Sequence, residues 1–248
     1  MKLKRLEAIS EYARAYDICT YEELCRQFDV SLTTMRRDVE ELVRTGRVEK
    51  VYGGIKVLPK EEEEEEPLFR YEYAKDQIGK KAALFVEDHD IIVLGSGTTA
   101  AHMVKYLREK KGLTVITNNL AVMEEAVKYG FTLISIGGDL DRRTMSFVGT
   151  QSIKQLSELN ADKAFLSCNG ITVHGVSNVA DLEADIKKKT MEISSKIYLL
   201  ADHSKFGVKS LYSFARIRDL DGIFTDKRAP KEIEKCCREE GVSLYTAE

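Results

Sequence analysis

The chain has 248 residues, 43% hydrophobic and 32% charged, enough for one or two ordinary globular domains with a sizeable core. No apolar run approaches the roughly 20 residues of a membrane span, and the N-terminal MKLKRLEAIS interrupts its apolar residues with charges, which excludes a signal-peptide core. Five cysteines without a CxxC spacing give no disulfide framework, four scattered histidines give no structural zinc site, and a cytoplasmic setting is the default.

The net charge of −3 is set by one block, Glu61–Glu66; without its six negatives the balance is +3. Residues 1–58 carry 11 Lys and Arg against 10 Asp and Glu, so any case for nucleic acid rests on where the charges sit.

In chain order, Leu3, Leu6, Ile9 and Ala13 recur at three- and four-residue steps, one face of a first helix. Thr20 and Glu23 form a T-x-x-E capping box that starts a second helix with Leu24 and Phe28 inward. Asp29-Val30 is the turn. Ser31 caps a third helix with Met35, Val39, Leu42 and Val43 inward, and Gly46 marks its C-terminal stop. RVEKV and IKVL, joined through Tyr52-Gly53-Gly54, give a hairpin. This first domain spans residues 1–58. The acidic segment 59–72, flanked by Pro59 and Pro67, is read as a linker or a charged joining helix. It is either a solvated tether or a phosphate mimic competing for the basic face of the first domain.

From residue 73 to 248 the grammar is alternating β and α. IIVLGSGTT (91–99), TVITNNL (114–120), FTLISIGGD (131–139), KAFLSCNG (163–170), KIYLLADHSKFG (196–207), GIFTD (222–226) and SLYT (243–246) are the candidate strands, with amphipathic helical stretches such as Ala100–Glu109 and Ala121–Tyr129 between them. That pattern predicts an α/β domain with a mostly parallel sheet covered by helices.

Two short helices, a tight turn and a third helix carrying Thr33, Thr34, Arg36 and Arg37 describe a helix-turn-helix, and the hairpin after it is a wing. Thr and Arg in the N-terminal half of the third helix present donors to base edges in the major groove, and Arg binds guanine O6 and N7 bidentately. Ser31 at the helix start, Tyr52 in the wing, and Arg47, Lys50 and Lys56 on the hairpin complete the candidate DNA contacts; cations there sit over phosphate and set register rather than sequence. The alternative is a small helical domain with solvated arginines.

In the second half, Gly95, Ser96, Gly97, Thr98 and Thr99 end a strand and open a helix. Small residues let the backbone approach a phosphate, and the hydroxyls and helix N-terminus add donors. In open α/β sheets ligands bind at such strand ends. Three more strand ends are polar: Thr117-Asn118-Asn119, Gly137-Gly138-Asp139 and Asp202-His203-Ser204-Lys205. Lys205 is a candidate phosphate or carboxylate partner and Asp202 a hydroxyl acceptor; the alternative for both is a surface turn.

The segment TYEELCRQFDVSLTTMRRDVEELVRTGRVEKVYGGI resembles the winged helix of DeoR-type bacterial transcription repressors, through Glu23-Leu24, Phe28-Asp29-Val30-Ser31, Thr34-Met35-Arg36-Arg37-Asp38 and Tyr52-Gly53-Gly54. Met35 stands where many members carry Ile, and the six-Glu block is longer than the family leads one to expect. The second half resembles the DeoR-type sensor domain through GSGTT, VITNNL, GGD, DKAFLSCNGI and LLADHSKFG, so the likeness spans nearly the whole chain. It implies a fold related to ribose-5-phosphate isomerase and a phosphorylated-sugar ligand. By that match Ser96, Gly97, Thr98 and Thr99 hold phosphate, and Asn118, Gly137, Gly138, Asp202 and Lys205 line the rest. Within the family, MKLKRLEAISEY, EKVYGG, EDHD, RRTMSFVG and IYLLADHSKFG are most similar to repressors of myo-inositol catabolism, which implies an inositol-derived phosphorylated acid as inducer.

The remaining polar residues carry less. Cys168 reads as a small filler, and Cys236-Cys237 as bystanders on a charged helix. Glu183 and Lys187–Lys189 read as a solvated helix face, with Glu183 within possible reach of the pocket. Arg142-Arg143 is a candidate contact to an anionic inducer or a second subunit. The expectation is a non-enzymatic regulator without cofactor or metal, probing double-stranded operator DNA as a homodimer or homotetramer because one helix-turn-helix reads only a half-site. Two rivals stand beside it: an active sugar-phosphate isomerase built on Asp139, Asp202 and Lys205, and a constitutive DNA binder whose second half only oligomerises.

Overall fold

The computed structural model describes residues 9, 12, 18–44, 48–51, 53–57 and 72–247. The chain divides into two compact units, Met1–Pro67 and Leu68–Glu248. The expected linker lies outside the described residues except for Glu72, which is the first residue of a helix.

In the first unit, β1 (Ile18–Thr20) leads into α1 (Tyr21–Phe28), followed by α2 (Leu32–Arg44) and the hairpin β2 (Val48–Val51) and β3 (Gly54–Val57). The capping box forms as its spacing requires: the Thr20 N–H donates to Glu23 Oε2 at 2.8 Å and the Glu23 N–H donates to Thr20 Oγ1 at 3.3 Å. Asp29 ends α1 in the left-handed region (φ 48°) with its N–H on the Cys25 carbonyl, and Ser31 Oγ accepts the Thr34 N–H at 3.3 Å to cap α2. Ile9, Leu24, Met35, Val39, Leu42, Val48 and Ile55 form the core. Val43, expected inward, is 36% exposed; it follows Leu42 by about 100° of helix, which turns it off the 35–39–42 face. β1 was not foreseen. It pairs antiparallel with β3, so the wing is a three-stranded sheet in the order β1-β3-β2. Three residues are too few for a period-2 signal.

The second unit is built on a seven-stranded parallel sheet. Its strands are β4 (Ile91–Leu94), β5 (Thr114–Thr117), β6 (Thr132–Ser135), β9 (Ala161–Ser167), β12 (Ser194–Leu200), β14 (Gly222–Thr225) and β15 (Ser243–Thr246), in the order β15-β14-β12-β9-β4-β5-β6. These are the seven apolar runs read from the sequence. Alternate residues feed opposite layers. Ile92, Leu94, Phe165, Leu200 and Phe224 face α3 (Glu72–Ala83), α4 (Thr98–Val104) and α5 (Leu120–Ala126). Val93, Ala164, Leu166, Leu199 and Ile223 face α6 (Thr150–Leu156), α7 (Asp181–Glu192) and α8 (Lys231–Glu240).

Two antiparallel additions carry no such apolar signature. The hairpin β7 (Asp139–Asp141) and β8 (Ser146–Val148) follows β6, and β10 (Gly170–Thr172), β11 (Gly175–Asn178) and β13 (Tyr212–Ala215) form a small sheet in that order. The helix expected over 100–109 starts at Thr98 and ends at Val104.

The strand order fixes the place of the site. From β4 the chain winds outward through β5 to β6; from β9 it winds the other way through β12 and β14 to β15. The reversal falls between β4 and β9, and in open α/β sheets the ligand crevice lies at such a reversal, at the carboxyl ends of the strands.

Candidate functional site

On α2, Thr33, Arg36, Arg37 and Glu40 are exposed while Met35, Asp38, Val39 and Leu42 are buried. The spacing of three and four residues puts Thr33, Arg36, Arg37 and Glu40 on one outward face. Arg36 lies 6.0 Å from the Tyr21 ring centroid, and Lys50 Nζ pairs with Glu40 Oε1 at 3.5 Å. Ser31 and Thr34 bond each other at 3.0 Å, so both serve the helix start. Arg47 and Tyr52 lie outside the described residues.

At the crevice, the loop after β4 carries Gly95–Thr99. Gly97 has φ 113°, and a Cβ there would stand 2.8 Å from both Cβ and Oγ of Ser167 at the end of β9. Only glycine fits, and this approach sets how closely the two strand ends face each other. Ser96 and Thr99 are buried against the loop. The brace of the loop is Asn119 rather than Asn118: its Nδ2 donates to the carbonyls of Gly95 at 3.2 Å and Gly97 at 2.9 Å. Asn118 instead donates to the Phe147 carbonyl at 2.8 Å, tying β5 to the β7–β8 hairpin. Gly137 donates to Gln155 Oε1 at 3.1 Å and accepts from Ser152 Oγ at 2.7 Å. Gly138 has φ 150° and leaves no room for a Cβ beside Ser152. These glycines follow β6, two strands from β4 in the sheet order, and they pack against α6 and, at Gly138, against the Val148 carbonyl of β8.

Beyond β9, Asp202 follows β12 and is 1% exposed, so it is no surface turn. Its Oδ1 accepts from the Ser204 N–H at 2.9 Å and from the Ser204 hydroxyl. Lys205 is buried in the short 3-10 turn His203–Lys205, its N–H on the Asp202 carbonyl at 3.1 Å. His203 Nδ1 lies 2.6 Å from Asp226 Oδ2.

Two features were read differently from sequence. Glu183 and Lys187 are not on a solvated face: they are 4% and 3% exposed. Lys187 Nζ donates to Asn178 Oδ1 at 2.9 Å, Asn178 Nδ2 donates to Glu183 Oε2 at 2.5 Å, and the ammonium stands 5.4 Å from the Phe214 ring centroid. Burial pushes the Lys187 pKa down, opposed by Glu183 and Cys168. The second is Lys75 of α3, 4% exposed and singled out by no motif. Burial lowers its pKa too, against the attraction of Asp202 and Glu72. Each lysine sits on the inward stripe of its helix, Lys75 with Ile78, Gly79 and Ala82, and Lys187 with Glu183, Ala184 and Thr190, a spacing that is only a weak signal in the sequence. Asn119 and Ser167 offered none beyond their place at strand ends.

Between these groups lies Cys168, whose thiol burial pushes up to about 12, with Asp202 adding to the shift and Lys187 opposing it. Burial of that kind disfavours the thiolate, the form that acts as a nucleophile. Arg142 and Arg143 lie in the β7–β8 turn, where Arg143 bonds Asp141 at 3.2 Å. Among the described residues, no three His, Cys, Asp or Glu side chains group closely enough for a metal ion, and no helix is long and apolar enough to cross a membrane.

The chain matches the DeoR-like helix-turn-helix domain over residues 5–61 and the DeoR C terminal sensor domain over 71–227. It is 36% identical over 251 residues to the HTH-type transcriptional regulator IolR of Bacillus subtilis, covering 100% of both chains. It is 28% identical to the HTH-type transcriptional repressor GlcR of the same organism, covering 99% of this chain and 96% of that one. The lactose phosphotransferase system repressor of Staphylococcus epidermidis is 31% identical, with 94% and 96% covered. Among solved structures, ribose 5-phosphate isomerase from Plasmodium falciparum aligns with a TM-score of 0.41 at 18% identity, covering 55% of this chain and 54% of that one. A helix-turn-helix with a polar outward face, followed by a parallel-sheet unit of the sensor type, places this chain in the DeoR family of transcriptional regulators.

Proposed function

We propose that the protein is an operator-binding repressor of a carbohydrate catabolic operon, an inositol-type pathway being the one its full-length resemblance points to, and that a phosphorylated sugar or sugar acid releases it. The observation that carries the DNA half is the outward face of α2, where Thr33, Arg36 and Arg37 are exposed. Arg36 and Arg37 read base edges; Lys50, Arg47 and Tyr52 contact the backbone from the wing. Lys50 exchanges Glu40 for phosphate on binding. A homodimer or homotetramer presents two such helices to a palindromic operator.

In the sensor half, the 95–99 loop receives the phosphoryl group, and Asp202 and Lys205 receive hydroxyl and charged groups from the next strands. The site acts as a binder rather than a catalyst. Asp139 and Asp202, which an isomerase would need together, follow strands four positions apart in the sheet, roughly 19 Å of strand spacing. The test is fluorescence anisotropy of labelled upstream DNA against scrambled DNA, with sugar phosphates then titrated into the complex. Turnover of a sugar phosphate would favour the isomerase reading instead.

A further inference from the structure

The seven-stranded sheet ends at β6 on one side and at β15 on the other. β6 pairs with β5 alone. The Thr132 N–H donates to the Leu113 carbonyl at 3.0 Å and the Ile136 N–H to the Thr117 carbonyl at 2.8 Å. Residues 132, 134 and 136 therefore turn their backbone groups toward β5, and Phe131, Leu133 and Ser135 turn theirs away from the sheet. Among the described residues no backbone hydrogen bond reaches those outward groups. Such a row of open N–H and C=O groups is a template for another strand, and sheets that refuse one place charges or proline along the edge. Residues 131–138, FTLISIGG, carry neither.

The helix beside this edge has an unpartnered apolar stripe. α5 buries Val122 and Ala126 against the sheet. Leu120, Met123 and Val127 follow one another at steps of three and four residues, on one flank of the helix. Leu120 and Met123 are half-buried, Val127 is 70% exposed, and none of the three packs into either core layer of this unit. The Leu120 N–H donates to the Met145 carbonyl at 2.9 Å, so the stripe starts against the β7–β8 hairpin that follows β6. The opposite edge of the sheet differs. β15 packs against α8, whose exposed residues are Lys231, Glu232, Lys235, Arg238, Glu239 and Glu240, a flank that keeps water.

We propose that this flank docks a second copy of the chain, β6 pairing antiparallel with β6 of the other copy across a two-fold axis. The inference rests on the homo-oligomer reading above and gives it a surface. The edge is complementary to itself. With Leu133 opposite Leu133 of the second copy, Phe131 faces Ser135 and Ser135 faces Phe131, and the outward groups exchange about six N–H···O=C bonds, two in each facing pair. A two-fold contact sets a patch against its own copy, so a charged patch repels itself; this edge holds no charge, and the charges at its rim, Glu124 and Lys128, differ in sign. Val127, left in water by the single chain, gains an apolar stripe to meet. The two sensor sheets become one continuous sheet, and the assembly acquires the two-fold symmetry that a palindromic operator requires.

The test uses the full-length protein and reads its oligomeric state by analytical ultracentrifugation over a concentration series. Ser135→Pro removes an N–H that points out of the sheet and leaves the pairing with β5 intact. Val127→Lys places a cation where it meets the same cation of the second copy. Leu211→Lys, at another apolar side chain left 78% exposed, is the control, and circular dichroism melts report folding. The expected wild type is a dimer or tetramer. Ser135→Pro and Val127→Lys each raise the dissociation constant roughly ten- to a hundredfold, the double variant falls from dimer to monomer or from tetramer to dimer, and Leu211→Lys matches wild type. Hydrogen exchange of residues 131–136, which needs no variant, is slow in the wild-type oligomer and quickens on dilution below its dissociation constant. A double variant that associates like wild type, dissociation by Leu211→Lys in its place, or exchange unchanged on dilution overturns the docking surface alone. A wild type that is monomeric at the concentrations where it binds operator overturns the oligomer reading and this inference with it, and leaves the edge to a strand of another protein.

Discussion

Gly97→Ala isolates the close approach that shapes the crevice. Gly97 holds φ at 113°, where an L-residue costs about 1–3 kcal/mol. The new methyl would lie 2.8 Å from Cβ and Oγ of Ser167, and relieving such an overlap by shifting packed strand ends costs about 1–3 kcal/mol more. The two add to about 2–6 kcal/mol, which lowers the melting temperature of a unit this size by about 4 °C or more. Scanning calorimetry of Gly97→Ala, Ser167→Gly and the double variant separates the parts. Ser167→Gly removes the side chain the methyl meets, so the double variant recovers the packing share and keeps only the backbone share. A single variant melting within about 2 °C of wild type, or a double variant no better than the single, would show that the loop and β9 are not held in this contact.

Other consequences follow from the same geometry. Arg36→Ala and Arg37→Ala, on the exposed face of α2, each weaken operator binding by about 1–3 kcal/mol while thermal melts stay within about 0.5 kcal/mol of wild type; unaltered operator affinity in both would remove α2 from the groove. Lys187→Met leaves Glu183 buried without its counter-charge and costs about 3–5 kcal/mol in urea denaturation, whereas Lys187→Met with Glu183→Leu regains most of it; equal loss in both would mean the pair does not act as a unit. Lys75→Met carries the opposite sign and a pH signature. Burial depresses the Lys75 pKa below 10.5, so in wild type the unfolded chain binds the extra proton between the depressed value and 10.5. Wild-type stability therefore rises with pH across that window and is lost as pH falls through the depressed pKa. The advantage of Lys75→Met is largest below the window and shrinks above it; a difference independent of pH would show that the fold does not depress the Lys75 pKa.

The sheet was readable because each of its strands is a short apolar run closed by small or polar residues, a pattern a parallel sheet demands when both faces are covered. The helix-turn-helix was readable from its punctuation: Thr20 with Glu23, then Ser31, then the Met35–Val39–Leu42 stripe. What escaped had weak local signals. Strands β1, β7, β8 and β10 are three residues each, and their pairing is set by tertiary contacts. Lys187, Lys188 and Lys189 look alike in a string, yet successive residues turn by about 100°: Lys187 is buried, while the Lys188 side chain is 49% exposed and pairs with Asp185. Reading the run as one charged face hid the residue that points inward. Lys75 was hidden for the same reason, a lysine on an apolar stripe in a segment without a motif. Asn118 and Asn119 show a finer limit: both end β5, and only the backbone path decides which amide reaches the 95–99 loop.

The most direct test of a repressor released through its sensor unit is a single titration. Full-length protein is bound to labelled DNA from its own upstream region near physiological salt, and phosphorylated sugars and inositol-pathway intermediates are added while anisotropy is followed. Binding tighter than to scrambled DNA, reversed by one phosphorylated compound and not by its dephosphorylated form, is the result predicted here. Sequence-independent binding, or specific binding that no phosphorylated compound reverses, would contradict it.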